Sequence, residues 1–284
     1  MGRKHHNKRR SQKKKPMTKK LGFCFLIYDR INLEEIWHRF FQNVNPEKYG
    51  IYIHYKTMNP SLQYFEHCKL DNCIETEYAT VSLVHAHNLL FTKAYQDGCD
   101  KIISLSQACI PFKSFDYIYE FLTKDNYGHF NITVNQAGCF PRCNSLLQYY
   151  SKDDIQKSSN WFILNRTICQ TILTYTKEEI DAIYGEIDSP EEHYYITTIY
   201  ANKLQNEIIT TLNLTDGATT FINWHDMDYK LRSPDDKNLK NYSHISNEEI
   251  EHLCRAPCLF GRKFNTECFE NLMDNMFYAK TTQI

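Results

Sequence analysis

Beyond a polar opening stretch, the apolar positions of this chain recur with two periods. Residues 22–28, GFCFLIY, form an unbroken β-branched and aromatic run, the pattern of a strand buried on both faces. Asn32 and Glu35 read as a capping box, and Leu33, Ile36, Trp37, Phe40, Phe41 and Val44 then follow at helical spacing. GIYIHY (50–55) and KIISLS (101–106) read as further strands, with a helical pattern over 81–95 between them and another from Ser114 to Leu122. HFNITV (129–134) is strand-like, Arg166 to Lys177 and Ser189 to Lys203 are expected helices, and ATTFINW (218–224) is a late strand. A short apolar run, PCLFGRKF (257–264), closes the pattern. Strand and helix alternate through the first half at βαβ spacing. That predicts an α/β fold with a mostly parallel central sheet flanked by helices. Ligands of such sheets sit beyond the carboxyl ends of the strands, so the loops after Tyr28, His54 and Ser106 should face one cleft.

The charge distribution divides the chain in two. Ten of the 33 Lys/Arg lie in residues 1–20, which hold no acid, leaving 23 basic against 34 acidic residues in the remainder. The expectation is a basic, disordered tail over 1–20 joined to one domain over 21–284, since no Pro/Gly/Ser-rich linker divides the latter. An acidic body does not suit nucleic-acid binding, so nucleic acid or an anionic surface could be met only through the tail. The apolar run starting at Leu21 is about eight residues, against the roughly 20 a bilayer span needs. No secretory signal or membrane anchor is read, and the eleven cysteines fit thiols in a reducing compartment, so a cytoplasmic protein is expected. Lys/Asn/Ile/Tyr-rich composition points to an AT-rich genome, microbial or viral.

Dinucleotide-binding, P-loop and nucleophile-elbow motifs are all absent. An acid pair does occur, Asp226-Met-Asp228, of the kind that holds a divalent cation against a diphosphate. It stands late in the chain, whereas the middle slot where such a pair belongs, SLSQACIP (104–111), carries no acid. Polar loop residues are the favoured reading of the pair, and no metal is expected. Without a cation, other charges must neutralise a leaving diphosphate. Arg255 and Lys263 flank APCLFGR; arginine offers a planar fork and lysine a point charge, though by composition alone both read equally as solvated surface cations. Ser189-Pro190-Glu191-Glu192 reads as a helix start in which Ser189 and Glu192 cap each other, leaving open whether Glu192 is a fastener, a catalytic carboxylate or both.

Taken in order, FCFLIYDR, IYIHYK (51–56), ISLSQACIPF (103–112), KSSNWFILNR (157–166), SPEEHY (189–194), TTFINW (219–224) and RAPCLFGRKF (255–264) are landmarks of a known family. Over most of residues 21–270 the sequence resembles the core-2/I-branching β-1,6-N-acetylglucosaminyltransferases, glycosyltransferase family 14, with their plant and microbial relatives. The resemblance implies a GT-A-like fold, a nucleotide-sugar donor and inversion at the anomeric carbon without metal. It implies that Glu192 is the catalytic base and that Arg255 and Lys263 hold the donor diphosphate. It places His54, Lys56 and Ser106 near the nucleotide, and Trp224 and Trp161 on the acceptor side, with core packing as the alternative for either tryptophan. The animal members carry a membrane anchor and disulfides that are not read here, and residues 140–156 match the acceptor region poorly.

The expected function is therefore transfer of a sugar, GlcNAc by default, from a UDP-sugar to a hydroxyl of a glycan or glycoprotein. UDP-xylose, UDP-glucose and UDP-glucuronate are not discriminated by these residues. The alternative is a non-catalytic UDP-sugar-binding or structural protein that retains the fold.

Overall fold

Five parallel strands and a short antiparallel one lie side by side in the main sheet, four of them formed by runs described above. The computed structural model describes residues 18–133, 140–212, 218–223 and 241–273. Residues 1–17 of the basic tail, Trp224, Asp226 and Asp228 lie outside the described residues. In chain order the strands are β1 (Leu21–Ile27), β2 (Tyr49–Tyr55), β3 (Lys101–Ser106), β4 (Ile110–Pro111), β5 (Gly128–Ile132), β6 (Ile163–Asn165), β7 (Ile208–Leu212), β8 (Thr220–Ile222) and β9 (Phe260–Arg262). The helices are α1 (Glu34–Phe41), α2 (Ser82–Gln96), α3 (Phe115–Thr123), α4 (Phe140–Cys143), α5 (Arg166–Ile172), α6 (Lys177–Tyr184), α7 (Tyr194–Ala201) and α8 (Asn247–Arg255).

The main sheet has the order β2-β1-β3-β6-β5-β7, in which β6 alone runs against its neighbours. The mostly parallel α/β architecture read from the sequence is thus what the chain forms. Leu21, Phe23, Phe25 and Ile27 face one hydrophobic cluster with Trp37, Phe40 and Phe41 of α1, while Cys24 joins the opposite cluster with Leu90, Phe91 and Ala94 of α2. Burial on both faces is why β1 reads as a continuous apolar run. The chain leaves β1 toward β2 on one side and returns to β3 on the other. The crevice outside the carboxyl ends of β1 and β3 is therefore a topological switch point, where such sheets bind ligands.

A second sheet, β4-β9-β8, starts just after the turn that follows β3. Ile110 pairs with Gly261, and Phe264 donates its N–H to the Ala108 carbonyl at 3.0 Å. This pairing carries Arg262 and Lys263 to the loop after β3. Gly261 is required there, because a Cβ would lie 2.3 Å from the ring of buried Phe112. Gly261→Ala should destabilise the protein by about 1–3 kcal/mol through overpacking, measured as a lowered urea midpoint; an unchanged midpoint would mean the ring has room to shift.

Several local expectations are corrected. Ser189 has φ 56°, makes no capping hydrogen bond and gives its hydroxyl to Asp188. Pro190–Glu192 is one 3-10 turn, and α7 starts only at Tyr194. Asn32 is no cap either: its side chain donates to the Phe264 carbonyl at 3.0 Å, and Leu33 stands at the N-cap position. Arg166 to Lys177 is not one helix; α5 stops at Ile172 and α6 begins afresh at Lys177 behind a Thr176–Glu179 capping box. Helix α8, also opened by a capping box (Ser246–Glu249), and strands β6 and β7 were not anticipated. Among the described residues no helix is long and apolar enough to cross a membrane.

Candidate active site

Four chain segments meet at the switch point. The first is the rim formed where β1, β2 and β3 end. Tyr28 donates its N–H to the Gln107 side chain at 2.6 Å, and its carbonyl accepts from Lys56 and Thr57 at 3.0 and 3.1 Å. The Lys56 ammonium lies 5.5 Å from the centre of the Tyr28 ring, which is itself exposed. His54 is different. It is wholly buried, and its Nε2 accepts the N–H of Ile74 at 3.0 Å. A backbone N–H can only donate, so Nε2 is bare and the imidazole is neutral; burial pushes its pKa down to about 4. His54 thus holds the 70s loop from below and does not reach the cleft.

The second segment is the turn after β3 with its partner β9. The Ser106 hydroxyl accepts from the N–H of Ala108 at 3.3 Å and lies 3.3 Å from the Cys109 thiol. Arg262 and Lys263 stand beside Cys109, whose thiol is pushed up by burial and drawn back by both cations. Burial depresses the Arg262 guanidinium to about 10, and burial together with Arg262 lowers Lys263. The Arg262 Nε is shielded from solvent without a hydrogen-bond partner. Among the described residues neither cation has an acidic partner. Two partly buried cations side by side, without an acidic partner among the described residues, are suited to an anion, since buried charge is otherwise paired.

The third segment, Lys157–Trp161, hangs from the end of β5 through the N–H of Thr133 to the Lys157 carbonyl (3.0 Å) and of Ser159 to the Asn131 carbonyl (2.9 Å). Its far end places Trp161 under the Arg262 guanidinium, 4.0 Å from the ring centre. Its near end meets the fourth segment, the Pro190–Glu192 turn. Ser158 donates its N–H to the Glu192 carbonyl at 2.9 Å, and Asn160 contacts the Glu191 carboxylate at 3.3 Å. The Glu192 carboxylate is held through Oε2 by Arg142 at 2.8 Å and Lys157 at 3.1 Å, each of the three side chains about a quarter exposed. Adjacent Glu191 turns inward, and burial raises its pKa to about 7.

The turn is clamped from outside too. The N–H of Ser189 donates to the Ala79 carbonyl at 2.9 Å, and both residues are left-handed, with φ 56° and 59°. Such strained, cross-linked backbone is concentrated at functional sites. It sets exposed Tyr78 beside the turn, near enough to Arg262 to act on its charge.

Of the residues singled out from sequence, Glu192 is linked through Ser158 to the segment ending in Trp161, Trp161 lies against Arg262 beside Lys263, Ser106 joins both cations through Cys109, and Lys56 stands at the rim against Tyr28. Arg255 is elsewhere: at the end of α8, 72% exposed, its guanidinium bound to Glu251 at 3.0 Å one turn back. Trp224 lies outside the described residues. Arg262, Arg142 and Lys157 were missed. For Arg262 the signal was present, a second cation directly beside Lys263 in a buried apolar run.

A mostly parallel α/β sheet whose switch point brings a held carboxylate into linkage with two cations that lack an acidic partner among the described residues is an arrangement suited to group transfer. Residues 21–254 match the Core-2/I-branching enzyme family, and the chain, a glycosyltransferase, belongs to it. Its curated relatives include Glycosyltransferase BC10 of Oryza sativa subsp. japonica, 20% identical over 311 residues that span 91% of this chain and 77% of the rice protein. Among solved structures it is similar to the galactosyltransferase LgtC in complex with donor and acceptor sugar analogs, at 9% identity and TM-score 0.37, the match covering 66% of this chain and 73% of that one.

Proposed function

We propose that the protein is an inverting, metal-independent transferase that moves a sugar from a UDP-sugar, GlcNAc by default, to a hydroxyl of a glycan or glycoprotein. The observation that carries this is the pair Arg262–Lys263, cations without an acidic partner among the described residues, joined to the Glu192 turn by the Lys157–Trp161 segment. From Ser158 to Trp161 there are three peptide steps, at most about 11 Å of chain. In this reading the diphosphate lies on Lys263 and Arg262, with Arg262 taking the place expected for Arg255. Lys56 and Ser106 line the nucleotide side. Glu192, fixed through Oε2, presents Oε1 to the acceptor hydroxyl.

The chemistry follows from that placement. Glu192 takes the hydroxyl proton as the acceptor oxygen forms its bond to the anomeric carbon from the face opposite the nucleotide. The bond from that carbon to the diphosphate oxygen breaks, and its electron pair leaves with UDP. Lys263 and Arg262 stabilise that growing charge, as donors do in an oxyanion site. The loop after β3 carries no acid to hold a cation there, which supports the metal-free reading.

The test is binding of UDP-sugars, UDP-GlcNAc, UDP-glucose, UDP-xylose and UDP-glucuronate, in the presence of EDTA, followed as thermal stabilisation and by calorimetry. Arg262→Ala and Lys263→Ala should each weaken binding about 10–150-fold, the loss of one charge-assisted contact of roughly 1.5–3 kcal/mol. Arg255→Ala should leave it within about twofold, as an exposed ion pair implies. Binding that needs a divalent cation, or that depends on Arg255 and not on Arg262, would overturn the assignment.

A further inference from the structure

The base proposed above is not held by its cations alone. His193, the next residue, is wholly buried, and its Nδ1 lies 2.8 Å from the Gln156 carbonyl. A carbonyl only accepts, so Nδ1 carries the proton and Nε2 is a bare lone pair. That lone pair faces Arg142 Nη2 at 3.4 Å, while the same Nη2 donates to Glu192 Oε2 at 2.8 Å. The two N–H bonds of one nitrogen are therefore directed at His193 and Glu192. The start of the line is rigid as well: Gln156 donates its N–H to the Thr197 hydroxyl at 3.1 Å, and that hydroxyl donates back to the Gln156 carbonyl at 3.3 Å. Thr197 is fully buried in α7.

We infer that His193 is a positioning residue for the transfer reaction, acting as a neutral acceptor that aims Arg142 and, through it, the Glu192 carboxylate. The inference rests on the reading of Glu192 as base. The line Thr197–Gln156–His193–Arg142–Glu192 runs from a buried helix to the open crevice, and each link fixes the direction of the next. The imidazole must stay neutral to serve, because a second N–H at Nε2 would meet the guanidinium head-on. Burial secures this, pushing His193 down to about 4, with the Arg142 charge acting the same way. Arginine suits the middle of the line, because its planar donors cannot rotate independently.

The experiment is a double-mutant cycle on UDP release from the UDP-sugar that the full-length protein turns over fastest in the panel above. His193→Leu removes the acceptor. It should lower kcat at least about tenfold with KM within about twofold, since a misplacement near 1 Å costs up to about 100-fold. His193→Gln can donate to the Gln156 carbonyl and accept from Arg142, and should recover most of that loss. In an Arg142→Gln background, His193→Leu should add less than about twofold. Full additivity in that background, or a Gln variant no better than Leu, would overturn the inference. Should the Leu variant fail to fold, imidazole ¹⁵N shifts of the wild-type protein decide: a bare Nε2 at neutral pH is expected, and a protonated one refutes the line. Absence of any UDP-sugar binding or turnover by the wild-type chain would instead sink the transferase reading itself.

Discussion

Glu192→Gln should yield a folded protein whose sugar transfer is slower by about 100- to 10,000-fold, the range a positioned general base contributes. The amide cannot take a proton, yet it matches the carboxylate in shape and still accepts from Arg142 through its oxygen. Helix capping gives no competing account of a loss, because Glu192 does not cap α7 and Ser189 bonds Asp188 instead. Donor binding should survive, since Arg262 and Lys263 are untouched. Initial-rate kinetics with saturating UDP-sugar, alongside circular dichroism, make the measurement. Near-normal turnover would remove Glu192 from the chemistry and leave its ion pairs with Arg142 and Lys157 as structural.

The second large effect is acid unfolding driven by histidines. His54, His87, His129 and His193 are all buried, and burial pushes each down to about 4 from an ordinary 6.5. The folded-state pKa lies below the unfolded one, so this stability is fully present above pH 6.5 and is lost as pH falls toward 4. Each group contributes about 3 kcal/mol over that interval, at roughly 1.4 kcal/mol per unit. Glu191 acts in the opposite sense. Raised to about 7 from 4.5, it stabilises at low pH and loses that contribution as pH rises through 7. Across most of the window, unfolding therefore binds about three protons net. Against a typical total of about 5–15 kcal/mol, the protein should unfold before pH 4 is reached. Urea midpoints at pH 7.5, 6 and 5 should fall steeply; a flat series would show that the imidazoles titrate in the folded state as they do in the unfolded one.

What the sequence disclosed, and what it hid, follows from how far each signal reaches. β1 and β3 were legible because helices cover both faces of the sheet, so nearly every residue in LGFCFLI and KIISLS is buried. Capping was not, because the pattern is local and its outcome is not. The Glu34 carboxylate accepts the N–H groups of Gln63, Tyr64 and Phe65, a loop some 30 residues away, and Asn32 reaches Phe264. The identical signal at Ser246 and Glu249 went unread, although it does cap a helix with Ile250 and Leu253 on its buried side. β6, only three residues long, leaves too short a run to distinguish strand from helix. At the site, Glu192 and Lys263 stood out by motif. Arg262 and Arg255 are chemically alike and seven positions apart, and only the pairing of β9 with β4 decides which is drawn in toward Cys109 and Trp161.

The stretch from Lys157 to Trp161 touches Glu192 at its first residue, Glu191 through Asn160 and the guanidinium at its last residue. On the roles proposed above, the gap between proton acceptor and charge sink is thus gauged by a length of covalent chain, not by how far two lobes happen to close. A ruler of that kind does not stretch with temperature or with the size of the acceptor. Selectivity for what enters must then be set by walls other than this one, and the spacing of the reacting groups stays the same whichever sugar is carried.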